Sequence, residues 1–337
     1  MKIVLVTDAW YPQTNGVVTT LSHTVACLRQ MGHELLLVTP AGFRSVPLPS
    51  YPSIRLALFP ARRVGAMFDA FQPEAIHIAT EGPLGLAARR YCLRNKLQFT
   101  TAYHTQFPQY IRLRVAIPLS WSYAWLRWFH APAQRTLVPT ESQRRVLQQQ
   151  RFNHVVIWTR GVDTQLFKPA DKNFIMAARP VSMFVGRVAV EKNIEAFLQL
   201  NLAGTLYVVG DGPDREKLAA RYPTVRFVGF KYGEELARYL AAADVFVFPS
   251  LTDTFGLVML EAMACGVPVA AFPVSGPIDV IRQGETGVCN ADLRLAIEQA
   301  LQLNPDRARS YAEQHSWLKA SEQFFGHLAR NVTELPG

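Results

Sequence analysis

Two carboxylates separated by seven residues, Asp253 and Glu261, stand in the run Ser250-Leu-Thr-Asp-Thr-Phe-Gly-Leu-Val-Met-Leu-Glu261-Ala-Met-Ala-Cys-Gly-Val-Pro. Just upstream, Asp244-Val-Phe-Val-Phe-Pro249 reads as a buried strand, and from Phe255-Gly256 onward an apolar run reads as a helix. The pattern is a strand, a short loop carrying one acid, and a helix carrying a second. Ligands of α/β proteins bind at the carboxyl ends of strands, where helix N-termini offer N–H groups to anions. The amides of Phe255, Gly256, Leu257 and Val258 would then face a phosphate or a sugar, and Asp253 and Glu261 would accept hydrogen bonds from its hydroxyls. The plainer alternative is that Asp253 or Thr254 caps the helix and Glu261 is solvated on its surface.

A second set is cationic. In Phe184-Val-Gly186-Arg187-Val-Ala-Val-Glu-Lys192-Asn193 a strand ends at Gly186, which leaves Arg187 on the loop and Lys192 at the start of the next helix. Two cations there suit a diphosphate and would stabilise the charge that builds on it as it departs. Two loops of the first half add candidates. Asn15-Gly16 opens a helix after the first strand, where glycine lets backbone approach a phosphate, although Asn-Gly is also a common turn. Thr101-Ala-Tyr-His104-Thr-Gln-Phe-Pro108 delivers His104 to a strand's carboxyl end. In Gly210-Asp211-Gly212-Pro213, Asp211 follows another strand, and turn chemistry alone would account for it. No metal-ligand cluster is visible and Asp-x-Asp does not occur, so the chemistry is expected to need no metal or other cofactor.

The elements that must position these residues alternate between strand and helix. Ile3 to Thr7, a helix from Val17 to Met31 and Glu34 to Thr39 form a βαβ unit, and further strands are expected near Ile54, Ala75, Phe99, Thr136 and Val155. Thr164 to Pro180, with Lys168-Pro169 and Asp171-Lys-Asn173, reads as a linker. A second set of strands follows at Val181, Thr205, Val225, Val245 and Val267, with helices between them, and a last helix is expected over Trp317 to Asn331. The chain of 337 residues suits two domains better than one core. An N-terminal domain is expected over 1–165 and a C-terminal one over 178–315.

Hydrophobic residues make up 49% and charged residues 18%, which describes a folded protein. Four dispersed cysteines without a Cys-x-x-Cys read as reduced core thiols. Asp8 interrupts the first apolar run too early for a signal peptide, and no apolar stretch is long enough to span a bilayer, so a cytoplasmic protein is expected. The net charge of +9 calls for an anionic partner, and no nucleic-acid-binding motif is present. Arg112-Leu-Arg114-Val-Ala-Ile-Pro-Leu-Ser-Trp121-Ser-Tyr123-Ala-Trp125-Leu-Arg127-Trp128-Phe129 mixes arginines with interfacial aromatics. That mixture suits an anionic membrane surface, and the plainer alternative is a helix that buries Trp125 and Trp128.

In their order along the chain these motifs resemble the retaining glycosyltransferases of the large family 4, also called group 1, and the resemblance covers nearly the whole sequence. It implies the α/β fold known as GT-B, two Rossmann-like domains facing each other across a cleft, with the C-terminal helix returning to the first domain. By that resemblance Asp253 stands where the family usually has Glu against the donor sugar, and Glu261 holds the nucleotide ribose. Gly186, Arg187 and Lys192 match its Gly-Arg-x4-Lys segment at the diphosphate, His104 lies near the donor sugar, and Asn15-Gly16 and Asp211 lie near the donor. The implied activity is transfer of a hexose from a UDP- or GDP-sugar to a lipid such as diacylglycerol, with an α-linkage, by an enzyme peripheral on the inner face of the cell membrane. An α-mannosyltransferase of envelope glycans, or a silent GT-B binding module, are the alternatives.

Overall fold

The structure is a computed structural model that describes residues 1–13, 15–48, 51–104 and 118–331, with residues 48 and 51–53 described by backbone alone. It divides into two compact units, Met1–Thr159 joined by the C-terminal residues from Trp317, and Arg160–Ser316.

The first unit carries strands β1 Lys2–Val6, β2 Glu34–Val38, β3 Ser45–Leu48, β4 Tyr51–Ala57, β5 Ala75–Ile78, β6 Thr100–Ala102, β7 Arg135–Val138 and β8 Val155–Ile157. Six of them form a parallel sheet in the order β2-β1-β5-β6-β7-β8, while β3 and β4 pair as an antiparallel hairpin. Ile3, Val4, Leu5 and Val6 are all buried, as expected of a parallel strand covered on both faces. Helices α1 Gly16–Gln30, α2 Ala61–Phe71, α3 Pro83–Arg94, α4 Leu119–His130 and α5 Glu141–Gln149 supply the cover.

The second unit repeats the plan with β9 Val181–Val185, β10 Thr205–Val209, β11 Arg226–Gly229, β12 Val245–Phe248, β13 Val269–Ala271 and β14 Gly287–Cys289 in the order β11-β10-β9-β12-β13-β14. Its helices are α6 Glu195–Leu198, α7 Arg215–Arg221, α8 Gly233–Ala242, α9 Leu257–Ala264, α10 Pro277–Val280, α11 Leu293–Ala300 and α12 Pro305–Ala312. Side chains alternate across this sheet. Met183, Val185, Phe246 and Phe248 pack toward α8, α9 and α12, whereas Phe184, Val245 and Val247 face α6 and α11. The strand order reverses between β9 and β12, and in open sheets of this kind ligands bind at the carboxyl edge beside such a reversal.

The linker expected over Thr164 to Pro180 is instead part of the second unit. Val162, Phe167 and Ile175 are buried in its core, and the Arg309 guanidinium donates to the carbonyls of Phe167 (2.8 Å) and Ala264 (2.7 Å). The polar residues and prolines there mark turns, including a short 3-10 segment at Lys172–Phe174, and the apolar residues between them decide the burial.

Helix α13, Trp317–His327, packs on α1 within the first unit. Trp158, fully buried, donates its indole N–H to the Ala320 carbonyl (3.1 Å), and the Thr159 N–H donates to Gln323 Oε1 (2.8 Å). Phe324 lies 4.7 Å from the Trp158 ring and 4.8 Å from His77. The helix stops before the expected Asn331, whose side chain pairs with the Gln98 backbone through both N–H and carbonyl. Phe324→Ala should cost about 3–5 kcal/mol by leaving a cavity beside Trp158. Thermal unfolding should show the loss; a variant that melts like the parent would mean this helix does not stabilise the first unit.

Candidate functional site

The loops that flank the switch point of the second sheet carry the cations and the acids. After β9 the chain passes Gly186 and half-buried Arg187, then a 3-10 turn, Val190–Lys192. Asn193 adopts a left-handed conformation (φ 50°), which Asn tolerates better than most residues, and its side chain donates to the Pro249 carbonyl at 3.1 Å. The hydroxyls of Ser250 and Thr252 reach the Glu191 carbonyl at 3.5 and 3.4 Å. These contacts bind the β9 loop to the β12 loop and bring Lys192 against Asp253. The ammonium donates to both carboxylate oxygens, at 2.7 and 2.8 Å, with both side chains mostly buried. Gly276 (φ 95°) closes on the same loop, since a Cβ there would stand 2.8 Å from the Asp253 carbonyl oxygen.

Helix α9 begins at Gly256, in the left-handed region at φ 81°, and no side chain caps it. A Cβ at this position would stand 2.8 Å from both Met259 Cε and Phe248 Cζ, so glycine is needed for space as well as for conformation. Neither Asp253 nor Thr254 is the cap, which removes the plainer reading of the acid loop. Phe255 is buried, while Leu257 and Val258 begin the helix with their N–H groups directed out of its end. Glu261, one turn further on, is half-buried. Burial pushes its carboxyl up to about 7, because a low-dielectric surrounding disfavours the charged form.

Gly186 and Gly210 let two strand ends run side by side. The Gly186 N–H donates to the Val209 carbonyl (3.0 Å), and a Cβ at Gly210 (φ 142°) would overlap the Gly186 carbonyl oxygen. Val188 N–H donates to the Asp211 carbonyl at 2.9 Å, so Arg187 sits between two fixed backbone points. The Asp211 carboxylate accepts from Gly212 N–H (2.8 Å) and lies 3.6 Å from Arg215, so local turn chemistry occupies it.

In the first unit, Asn15 caps α1: its side-chain oxygen accepts from the N–H groups of Val17 and Val18, both at 3.0 Å, and Gly16 is the first helical residue. His104 follows β6 and meets the buried Trp158 edge-on, with ring centres 5.6 Å apart. Thr105 to Pro108, the rest of that motif, lie outside the described residues, as do Arg112 and Arg114. Sequence reading missed Trp158, which joins His104 to α13. In the sequence Asp8 shows only as the break in the first apolar run. Asp8 is buried and accepts from the N–H groups of Leu84 (3.0 Å) and Gly85 (3.4 Å) and from the Thr80 hydroxyl (2.8 Å). Burial raises its carboxyl, and the backbone N–H groups act the other way. The Gly-Pro pair opening α3 was the available signal, because a Cβ at Gly82 would fall onto this carboxylate. Among the described residues no group of three or more His, Cys, Asp or Glu side chains converges to hold a metal.

This arrangement presents cations, an uncapped helix end and a second acid on one loop-and-helix assembly, which suits a polyhydroxylated anion such as a nucleotide diphosphate. Comparison with known proteins points the same way. Residues 14–166 match the family model described as Glycosyltransferase Family 4, and residues 179–303 match that described as Glycosyl transferases group 1. A GDP-mannose-dependent alpha-mannosyltransferase of Mycobacterium tuberculosis is 32% identical over 315 residues, covering 86% of this chain and 83% of that protein. An alpha-monoglucosyldiacylglycerol synthase of Acholeplasma laidlawii is 26% identical, covering 80% of this chain and 79% of that protein. Among solved structures, a sucrose-phosphate synthase of Thermosynechococcus elongatus superposes with a TM-score of 0.75 at 22% identity, covering 96% of this chain and 97% of that one.

The raised carboxyl of Glu261 has a pH signature. Its proton is held more tightly in the folded chain than in the unfolded one, so its contribution to stability is greatest below the ordinary glutamate range and falls as pH rises through about 7. Glu261→Gln removes that fall. The free variant should be more stable than the parent near pH 8, by about 1–3 kcal/mol, with the gap closing toward pH 4. The same change should weaken nucleoside diphosphate binding by about tenfold or more, because a charged acceptor is lost. Denaturation and calorimetry at the two pH values check both halves; unchanged nucleotide affinity in the folded variant would take Glu261 out of the site.

Proposed function

Because this chain belongs to the family 4 glycosyltransferases, we propose that it moves a hexose from a nucleotide diphosphate sugar to a lipid acceptor and leaves an α-linkage. The chain is a glycosyltransferase of the GT-B fold. The observation that supports the donor assignment is the grouping at the second switch point. Lys192 is anchored by Asp253, Arg187 lies earlier on the same loop, and the uncapped end of α9 follows. A diphosphate seated there meets two cations and backbone N–H groups in place of a divalent metal, so the reaction is expected to run without one.

The donor we favour is GDP-mannose, on the similarity to the mycobacterial enzyme named for it. The lipid acceptor is favoured by the similarity to the diacylglycerol synthase and by the net charge of +9, which suits work at an anionic membrane. Among the described residues no helix is long and apolar enough to cross a membrane, and we assign peripheral attachment on the cytoplasmic face.

In this reading Glu261 holds the ribose, which asks for its ionised form; nucleotide binding would draw the proton off a carboxyl that titrates near 7. Asp253 fixes the Lys192 ammonium through both carboxylate oxygens, and Lys192 with Arg187 then meets the charge that develops on the departing diphosphate. His104, Asn15 and Gly16, which the resemblance assigns to the donor, belong to the first unit, and to that unit we assign the acceptor as well.

Turnover should be measured with GDP-mannose and UDP-glucose, each with diacylglycerol-based and soluble glycan acceptors. Transfer to lipid from GDP-mannose is expected; transfer only to soluble glycans would move the acceptor assignment. Arg187→Ala and Lys192→Ala should each lower kcat by about 10²-fold, and Lys192→Ala should also lower the melting temperature, because it takes the ammonium from the mostly buried Asp253 carboxylate. Activity should survive EDTA, and a full loss restored by Mg²⁺ or Mn²⁺ would contradict the role given to these two cations.

A further inference from the structure

We propose that α3 and α4 of the first unit form a preassembled docking face for a bilayer of anionic phospholipid. Its purpose rests on the lipid-acceptor reading; its test does not.

Helix α4 turns Tyr123, Leu126, Phe129 and His130 inward. The opposite stripe, at spacings of four and three, presents Trp121 (73% exposed), Trp125 (38%) and Trp128 (52%). The plainer alternative, a helix that buries Trp125 and Trp128, is therefore not the one that forms. Beside it α3 presents Leu93, 45% exposed, together with Arg90 and Arg94, both exposed. Arg89 joins the two helices. Its Nε donates to the Phe129 carbonyl and its Nη2 to the Trp128 carbonyl, each at 2.9 Å, and its guanidinium lies 4.0 Å over the Trp128 ring. That stacking holds Trp128 outward in one orientation, so the face needs no rearrangement to form. A shallow groove of about 510 Å³ runs between the helices, lined by Leu86, Arg89, Arg90, Leu93, Arg94 and Trp128.

The charge pattern selects the occupant. Neither α3 nor α4 contains an aspartate or a glutamate. Indole rings beside arginines match the boundary between acyl chains and phosphates, where an aromatic body is buried and a cation stays wet. Of the basic residues read in this segment of the sequence, only Arg127 is described. Arg127 donates inward to the Gln150 carbonyl at 2.9 Å, Arg112 and Arg114 lie outside the described residues, and the outward cations described beside this stripe come from α3. With Trp121 and Trp128 set into the interface, Arg90 and Arg94 reach lipid phosphates.

The test is co-sedimentation of the full chain with vesicles of phosphatidylcholine alone and of phosphatidylcholine mixed with phosphatidylglycerol, at low and high salt. The parent chain should prefer the anionic vesicles by about tenfold or more, lose that preference in high salt, and show a blue shift of tryptophan emission on binding. Arg90→Ser with Arg94→Ser should abolish the preference for anionic lipid. Trp121→Ser with Trp128→Ser should remove the blue shift and most of the binding. All four positions are exposed, so both variants should melt like the parent. Equal partitioning of the parent to both vesicle types, no vesicle binding at all, or binding unaltered in both variants would overturn the proposal. A chain that glycosylates a detergent-dispersed lipid acceptor yet ignores vesicles would overturn this face and leave the catalytic reading standing; one that binds vesicles as described without turnover would do the opposite.

Discussion

The ion pair between Lys192 and Asp253 spans two loops that are 61 residues apart in sequence and adjacent at the carboxyl edge of the second sheet. Strand order makes that meeting possible: β9 and β12 are neighbours, and the chain leaves them in opposite directions. Each loop is also held by backbone. Asn193 anchors one loop to the Pro249 carbonyl, and Gly276 presses on the other at Asp253. The pair therefore forms on a prepared frame, with a short bidentate geometry that a mostly buried ion pair requires. Arg187 precedes it on the first loop, and Gly256, α9 and Glu261 follow it on the second. If this contact moved, the groups of the second unit assigned to the nucleotide sugar would move with it.

The helix ends show how the same physics is used in two ways. In the first unit the protein supplies its own partners: Asn15 closes the end of α1, and the Asp8 carboxylate sits on the first N–H groups of α3. In the second unit α9 begins at a glycine that cannot cap. A serine or aspartate there would be strained at φ 81° and would press on Met259 and Phe248, so no capping side chain fits. Glycine leaves the amides directed outward and gives the close packing against Phe248 and Met259. Glu261 follows the same logic, since a carboxyl raised to about 7 is held at a cost to the free fold above neutral pH. A ligand that favours the ionised carboxyl would offset that cost.

Much of this was legible in the sequence, for identifiable reasons. The strand Val245–Phe248 and the helix from Leu257 are written in local pattern, a short β-branched and aromatic run followed by a glycine and an apolar helical stretch. The loop between them carries one acid and the helix the other, so residue type and position were both visible. The contact of Asp253 with Lys192 was not, because it depends on sheet order. The stretch from Thr164 to Pro180 looked like a linker because turn residues report backbone direction and say nothing of burial, which Phe167 and Ile175 decide. Likewise the helical spacing of Trp121, Trp125 and Trp128 defines a stripe without saying which side of α4 faces the core. Asp8 was hidden for the opposite reason: its partners lie more than 70 residues away, on the N–H groups of another helix.

The central claim is transfer that leaves the sugar α-linked, driven by cations and helix N–H groups around the diphosphate. The most direct measurement is the anomeric configuration of the product, read by NMR from the one-bond carbon–hydrogen coupling of the newly attached sugar. With an α-configured donor such as GDP-mannose and a diacylglycerol-based acceptor, the account predicts an α-linked glycolipid formed by the parent chain and lost with Lys192→Ala. A β-linked product, or release of free mannose alone with acceptor present, would contradict it.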